Sequence, residues 1–185
     1  MRELAQSDQI LLKKARSGDH NAFQKIVERY EKPVITTVLG MLGDVAEVDD
    51  VAQNVFIRFY KALHNFRGDA QLNTYLTRIA INLSLNELKK RKRKSNWFSF
   101  FKKNEKQILE IPDTTQNIND FDNKDLVNQA LQQLPEDLRS IVVLRLMDGY
   151  STEETAEILK IPYGTVLSRL SRGRKKLKEI LLEYK

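Results

Sequence analysis

The chain contains no cysteine among its 185 residues, which excludes a disulfide-linked scaffold, a cysteine-ligated zinc finger and a thiol nucleophile. No apolar run approaches the roughly 20 residues that a membrane-spanning helix needs. The first residues, MRELA, are not followed by the apolar segment of a signal peptide. We therefore expect a cytoplasmic protein without direct membrane insertion.

Residues suited to catalysis and cofactor binding are also scarce. The two histidines, His20 and His64, lie far apart in the sequence. No metal-ligand spacing, glycine-rich phosphate loop or nucleophile elbow is present. The expectation is a protein that is not an enzyme, with no catalytic residue, no metal and no cofactor.

Apolar residues make up 41% of the chain and charged residues 30%, close to an average soluble protein that can bury a core. Apolar positions recur at helical spacing over residues 8–63, 72–88 and from 124 onward, and no useful strand alternation appears. Asp19 is expected to N-cap a helix that carries Phe23, Ile26 and Val27. A second helix is expected to begin near Pro33, where a first-turn proline is tolerated. Another is expected to end in the basic run at 89–94. The clearest stripe comprises Val48, Val51, Ala52, Val55, Phe56, Phe59 and Leu63.

Residues 95–123 lose this periodicity and are rich in Asn, Asp, Thr and Gln, which is typical of a linker. The predicted fold is all-α: a helical domain over residues 1–94, a flexible linker over 95–123 and a smaller helical domain over 124–185. The linker contains an aromatic cluster that either packs back on the first domain or docks on a partner: Trp97, Phe98, Phe100 and Phe101.

Positive charge collects in two blocks, although the net charge is only +6. One block lies within residues 66–103, the other lies in the last helix, and an acidic, polar segment separates them. Clustered Lys and Arg are expected of a nucleic-acid binder. The alternative is a solvated charged face or, at 89–94, a frayed helix end.

The C-terminal residues have the pattern of a helix-turn-helix. Ser151 and Glu154 have capping-box spacing at the start of one helix, and a turn follows at residues 160–164. The next helix places Val166, Leu170, Gly173 and Leu177 on one face, with polar and basic residues opposite. Such a helix fits the major groove of DNA. The alternative is a charged surface helix of a bundle.

Taken together, these residues resemble a bacterial sigma factor of the extracytoplasmic-function (ECF) group of the sigma-70 family, from about Gly18 to Leu182. Gly18-Asp19 with Ala22-Phe23 resembles the start of sigma region 2, and EVDDVAQNVF at 47–56 resembles the polymerase-binding helix. FRGD at 66–69, continued through TYLTRIAIN at 74–82, resembles the promoter-melting and minus-ten segment. LPE at 134–136, GYS at 149–151 and IPYGTV at 161–166 resemble region 4.

The resemblance implies three functional surfaces. The first would bind the β′ clamp coiled coil of RNA polymerase and comprises Glu47, Asp49, Asp50, Gln53 and Asn54. The alternative for these residues is a solvated helix face without a partner. The second would bind the minus-ten element, with Asn82 holding a flipped base: Phe66, Tyr75, Arg78, Asn82, Lys89, Lys90 and Arg91. The third would bind the minus-thirty-five element: Thr165, Ser168, Arg169, Arg172 and Lys175. The alternatives are a core role for Phe66 and a helix-surface role for Asn82.

Three positions depart from the family pattern. The family usually has Trp at Tyr75 and Ala at Gly173, and often has Tyr at Thr77. The glycine should cost some helix stability.

The resemblance implies a sigma factor that binds core RNA polymerase, through the β′ clamp coiled coil and the β flap, and opens promoter DNA. It also implies an anti-sigma partner, often membrane-anchored in this family. The rival interpretations are a repressor or activator that uses the same helix-turn-helix, and an enzyme of RNA metabolism. The first would usually need a dimer interface or a ligand domain, and the second has no candidate catalytic residues.

Overall fold

The structure, a computed structural model, describes residues 2–66, 68, 71–102 and 123–184. Its helices are α1 (Arg2–Arg16), α2 (His20–Leu42), α3 (Glu47–Ala62), α4 (Leu72–Lys102), α5 (Asn123–Gln132), α6 (Glu136–Val142), α7 (Thr152–Leu159) and α8 (Tyr163–Glu183). After α6 the chain continues as one π-helical turn, Val143–Met147. These ranges contain no strand, and the all-α prediction is confirmed. None of the helices described is long and apolar enough to cross a membrane.

Helices α1 to α4 form an N-terminal unit around one apolar core. Ile26, Val38, Met41, Phe59 and Leu76 are fully buried at its centre. The predicted stripe of α3 faces this core, which confirms the apolar pattern over residues 48–59. Removal of such side chains from water is the main stabilisation of the bundle.

Helix α2 is continuous through Pro33, so the expected helix start at this proline is wrong. The predicted N-cap at Asp19 is confirmed, since the Asp19 carboxylate accepts a hydrogen bond from the Ala22 amide (3.1 Å), and the helix that begins there runs on to Leu42. Proline removes one backbone donor from a helix. Burial of Ile26 before Pro33 and Val34 after it, against the same core, offsets that loss.

Helix α4 does not end in the basic run but extends to Lys102. Apolar periodicity reports which face of a helix is buried, and residues 92–97 of α4 are all exposed, so the pattern is lost there while the helix continues. Residues 103–122, which hold most of the predicted linker, lie outside the described residues, and the domain boundaries stay predictions.

Helices α5 to α8 form a C-terminal unit, which packs directly on the N-terminal unit. Val143 and Leu144 of the π turn are buried in the same core as α2 and α3. Gly40 of α2 permits this approach, because a Cβ atom built there would lie 2.9 Å from Val143 Cγ2. The two units therefore share a core, here called the interunit contact.

Polar groups are also paired across the interunit contact. The Tyr150 hydroxyl lies 2.7 Å from Asn73 Nδ2 and 2.8 Å from Thr77 Oγ1, both on α4. The Thr37 hydroxyl of α2 donates to Asp148 Oδ2 at 2.9 Å. Burial raises the pKa of Asp148 to about 6, while the hydrogen bond from Thr37 acts in the opposite direction.

The C-terminal end of α2 is held by two side chains of the C-terminal unit. Arg139 donates to the Met41 carbonyl and to Gln132 Oε1, both at 2.6 Å. The Gln132 amide donates to the Gly40 carbonyl at 3.2 Å. Helix ends leave carbonyl groups without intrahelical partners, and cations are favoured there. Burial lowers the pKa of Arg139 from its usual value.

Candidate functional site

The first surface lies on α3, beside a groove between α2 and α3. Asp49, Asp50, Gln53 and Asn54 are exposed, because they lie off the apolar stripe that holds α3 in the core. The Asn54 amide donates to the Asp50 main-chain carbonyl at 2.8 Å. Glu47 differs from the rest of the set, because it forms an ion pair with Arg91 of α4 at 3.1 Å.

The groove itself has a volume of about 710 Å³ and a largely apolar lining with an acidic rim. Ile57 is 43% exposed and Tyr60 is 47% exposed on its wall. Phe23 of α2 also lines the groove and meets Tyr60 edge to face, with ring centroids 4.9 Å apart. The sequence analysis did not identify Ile57 and Tyr60 as groove residues. The pattern that could have indicated them is that both are large apolar side chains on α3 outside its buried stripe.

The second surface follows α4. Asn82, Lys89 and Lys90 are exposed, whereas Arg78 is half-buried and pairs with Glu157 of α7 at 3.3 Å. Arg91 is half-buried and is tied to Glu47 as described above. The structure therefore exposes Asn82 and the two lysines, of which Lys90 pairs with Glu87 at 3.2 Å, and holds both arginines in half-buried ion pairs.

Phe66 lies in an aromatic cluster beneath α4. It is only 7% exposed and lies 4.7 Å from the Tyr75 ring and 6.0 Å from the Phe59 ring, between centroids. This position is the one expected from the core interpretation of Phe66. A base could stack on this ring only after the ring became uncovered.

The third surface is the outer face of α8. The predicted capping box is present at the start of α7: the Glu154 amide donates to Ser151 Oγ (3.1 Å) and the Ser151 amide to Glu154 Oε2 (2.7 Å). The chain then turns through Lys160, which has a left-handed backbone with φ of 54°. Pro162 precedes the first turn of α8. These features fix the angle at which α8 leaves the turn.

On α8, Ser168, Arg172 and Lys175 are exposed on the side away from the core. Thr165 is half-buried, and Arg169 is half-buried and pairs with Asp137 of α6 at 3.5 Å. The structure thus places all five predicted residues on one helix and exposes three of them, with the Ser168 hydroxyl donating to the Thr165 carbonyl at 3.1 Å.

Gly173 lies on the inner face of α8, against α6. A Cβ atom there would approach Val142 Cγ2 to 2.9 Å. The glycine therefore allows α6 and α8 to pack closely, which accounts for the departure from alanine.

No cluster of three or more metal-ligating side chains occurs among the described residues. The shapes and charges are instead those of binding surfaces: an acid-rimmed apolar groove and two helices with exposed polar and basic groups. An acidic rim favours a basic partner, and basic helices favour nucleic acid.

Comparison with known proteins agrees with this description. Residues 26–94 match the family model for sigma-70 region 2, and residues 124–177 match the model for sigma-70, region 4. The chain is 35% identical over 184 residues to the RNA polymerase sigma-H factor of Pseudomonas aeruginosa, covering 95% of this chain and 94% of that protein. It is 36% identical over 175 residues to the ECF RNA polymerase sigma-E factor of Escherichia coli, covering 91% of each.

Two solved structures have a similar fold. CnrH, in complex with the cytosolic domain of CnrY, superposes with a TM-score of 0.68 at 25% identity, over 95% of this chain and 97% of that one. RpoE, in complex with the anti-sigma factor NepR from Bartonella quintana, superposes with a TM-score of 0.67 at 22% identity, over 86% of this chain and 96% of that one.

Proposed function

The chain belongs to the ECF group of the sigma-70 family, and on this premise we propose which of its surfaces bind polymerase and DNA. As a sigma factor, it binds core RNA polymerase, directs it to specific promoters and promotes DNA opening for transcription initiation. The observation that carries this function is the presence of region 2 and region 4, in order, along one chain. Sigma factors are initiation factors rather than enzymes, and we propose that this chain contributes no catalytic residue, metal or cofactor.

The groove beside α3 receives the β′ clamp coiled coil of polymerase. Its exposed apolar side chains, Ile57 and Tyr60, suit the apolar side of a partner helix. The acidic rim at Asp49 and Asp50 suits a basic partner. The C-terminal unit contacts the β flap, by the resemblance to region 4.

Helix α4 binds the minus-ten element. The exposed Asn82 side chain has an amide that can donate and accept at the edge of a flipped base. Lys89 and Lys90 face solvent and bind phosphates. Arg78 and Arg91 join them once their ion pairs to Glu157 and Glu47 open.

Helix α8 enters the major groove at the minus-thirty-five element. Arg172 and Ser168 are exposed near the middle of its outer face and reach base edges or phosphates. Thr165, Arg169 and Lys175 flank them on the same helix.

The two units separate on the promoter. Elements about 25 base pairs apart are ~85 Å apart at 3.4 Å per step. A folded chain of this length has a radius of gyration of only about 16 Å. The interunit contact must therefore open before α4 and α8 can each reach their element.

We further propose that an anti-sigma factor holds the protein inactive in the cytoplasm. The support is the structural relative RpoE, which was solved with the anti-sigma factor NepR. A membrane-anchored anti-sigma factor would place the complex at the inner face of the membrane.

Transcription with purified components tests the function. Core polymerase with this chain should yield a discrete transcript from a promoter that core polymerase alone ignores. Asp50→Lys should reduce co-purification with core polymerase while the fold stays intact, because Asp50 is exposed and off the buried stripe. Lys25→Glu, an exposed charge reversal on α2, is the control. Absence of transcripts together with tight, sequence-specific DNA binding by the free chain would establish the repressor instead.

A further inference from the structure

The exposed face of α4 continues beyond the residues assigned to the minus-ten element. Asn82, Asn86, Lys90, Arg93 and Trp97 follow one another at steps of four, four, three and four residues, and every one of them is exposed. Such steps keep side chains on one face of a helix. From Asn82 to Trp97 this face runs for about 22 Å, at 1.5 Å per residue.

Trp97 lies at the far end of this face and is 63% exposed. Together with Lys90, Arg93 and Lys94 it lines a shallow pocket of about 310 Å³. The indole offers a flat apolar surface for stacking, and the three cations surround it. This combination of an aromatic platform with basic groups is typical of single-stranded nucleic-acid sites.

The charge around the pocket is predominantly positive. Residues 88–103 include eight lysines and arginines and no acidic residue. Two acids lie at its edge: Glu87 of α4 pairs with Lys90 at 3.2 Å, and Glu136 of α6 pairs with Lys92 at 2.8 Å. Arg93 and Lys94 are both exposed and project their charge towards solvent.

We propose that this end of α4 binds a segment of single-stranded nucleic acid, with one base stacked on Trp97 and its flanking phosphates held by Lys90, Arg93 and Lys94. The site extends the minus-ten surface on the same helix face and rests on the proposed function. Continuity with that face favours nucleic acid over an anionic lipid surface, the other partner that a basic and aromatic patch attracts.

Binding at this site can be followed by intrinsic tryptophan fluorescence without an added label, because Trp97 is the only tryptophan in the sequence. Intrinsic fluorescence of the full-length protein is measured during titration with a 12-nucleotide single-stranded DNA, the matching RNA and the matching duplex. None of the three carries a promoter sequence. The single strands should quench Trp97 in a saturable manner that weakens with salt, and the duplex should quench it much less. A difference between DNA and RNA identifies which strand is preferred.

Variants separate stacking from charge. In anisotropy titrations with a labelled strand, Trp97→Ala should weaken affinity about tenfold, whereas Trp97→Phe should retain most of it because a ring remains. Arg93→Ala with Lys94→Ala should weaken affinity and reduce the slope of log affinity against log salt by about 1–2. The matched control is Lys25→Ala with Lys32→Ala, two exposed lysines on α2, which should bind like the unmodified chain.

Two outcomes would overturn the proposal. The first is an absence of quenching by single strands, or equal affinity for Trp97→Ala and the unmodified chain. The second is a blue shift of Trp97 with phosphatidylcholine vesicles containing 30% phosphatidylserine, without any response to nucleic acid, which would assign the patch to lipid. Because these titrations need neither polymerase nor promoter, their failure is distinguishable from failure of the transcription experiment.

Discussion

Removal of one oxygen atom, by Tyr150→Phe, should loosen the contact between the two units. The hydroxyl bridges Asn73 and Thr77, and Thr77 is only 3% exposed, so water cannot readily replace the lost partner. A buried polar group left without its partner costs about 1–3 kcal/mol. A loss of ~1.4 kcal/mol already shifts the equilibrium between docked and separated units tenfold.

The absence of cysteine makes the distance between the units directly measurable. Spin labels at Lys25→Cys on α2 and Lys176→Cys on α8, both exposed positions, report the interunit distance by pulsed electron spin resonance. Tyr150→Phe should broaden this distribution and move it to longer distances. Tyr184→Phe, which removes a hydroxyl bonded to Gln133 within the C-terminal unit, is the matched control. Identical distributions for Tyr150→Phe and the unmodified chain would refute the role assigned to this hydroxyl.

Three further predictions concern acidity, packing and DNA. Burial at the interunit contact raises the pKa of Asp148 above its ordinary value to about 6. The contribution of this group to the docked state should therefore be fully present below about pH 4 and be lost as pH rises through 6, and Asp148→Asn should flatten that dependence in the same distance measurement. Gly173→Ala should lower the melting temperature, because overpacking against Val142 costs about 1–3 kcal/mol and exceeds the roughly 1 kcal/mol gained in helix propensity; Val142→Ala in the same chain should recover part of the loss. In the holoenzyme, Arg172→Ala should weaken closed-promoter binding by about 1–3 kcal/mol, while Asn82→Ala should keep that affinity and yield fewer permanganate-reactive thymines. Loss of duplex affinity alone in both variants would contradict a melting role for Asn82.

The sequence predicts much of each unit because its signals are local. The stripe of α3 and the capping box at Ser151 depend on residues within a few positions of one another, and both occur as expected. The length of α4 was missed because an exposed helix carries no apolar period. The start of α2 at Asp19 was predicted, but its continuation through Pro33 was missed because a proline normally marks a helix start, and here tertiary burial outweighs that preference.

The interunit contact could not be predicted from such patterns. Periodicity indicates that Leu144 is buried but does not identify the helices that cover it. The partner of Asp148 is Thr37, more than a hundred residues away in the chain, and nothing in either neighbourhood indicates the pairing. The groove residues Ile57 and Tyr60 were missed for a related reason, because exposed apolar residues are common on any protein surface.

The hydrogen bonds from Arg139 and Gln132 to the end of α2 have a consequence for sequence evolution. Both side chains bind main-chain carbonyls, those of Met41 and Gly40, and every residue type supplies a carbonyl. Replacement of Met41 by another residue of similar volume leaves this recognition chemically unchanged. Correlated substitution between the two units should therefore be weak at these positions. Comparisons of related sequences that infer proximity from paired changes would pass over the contact, although it joins the two units at close range.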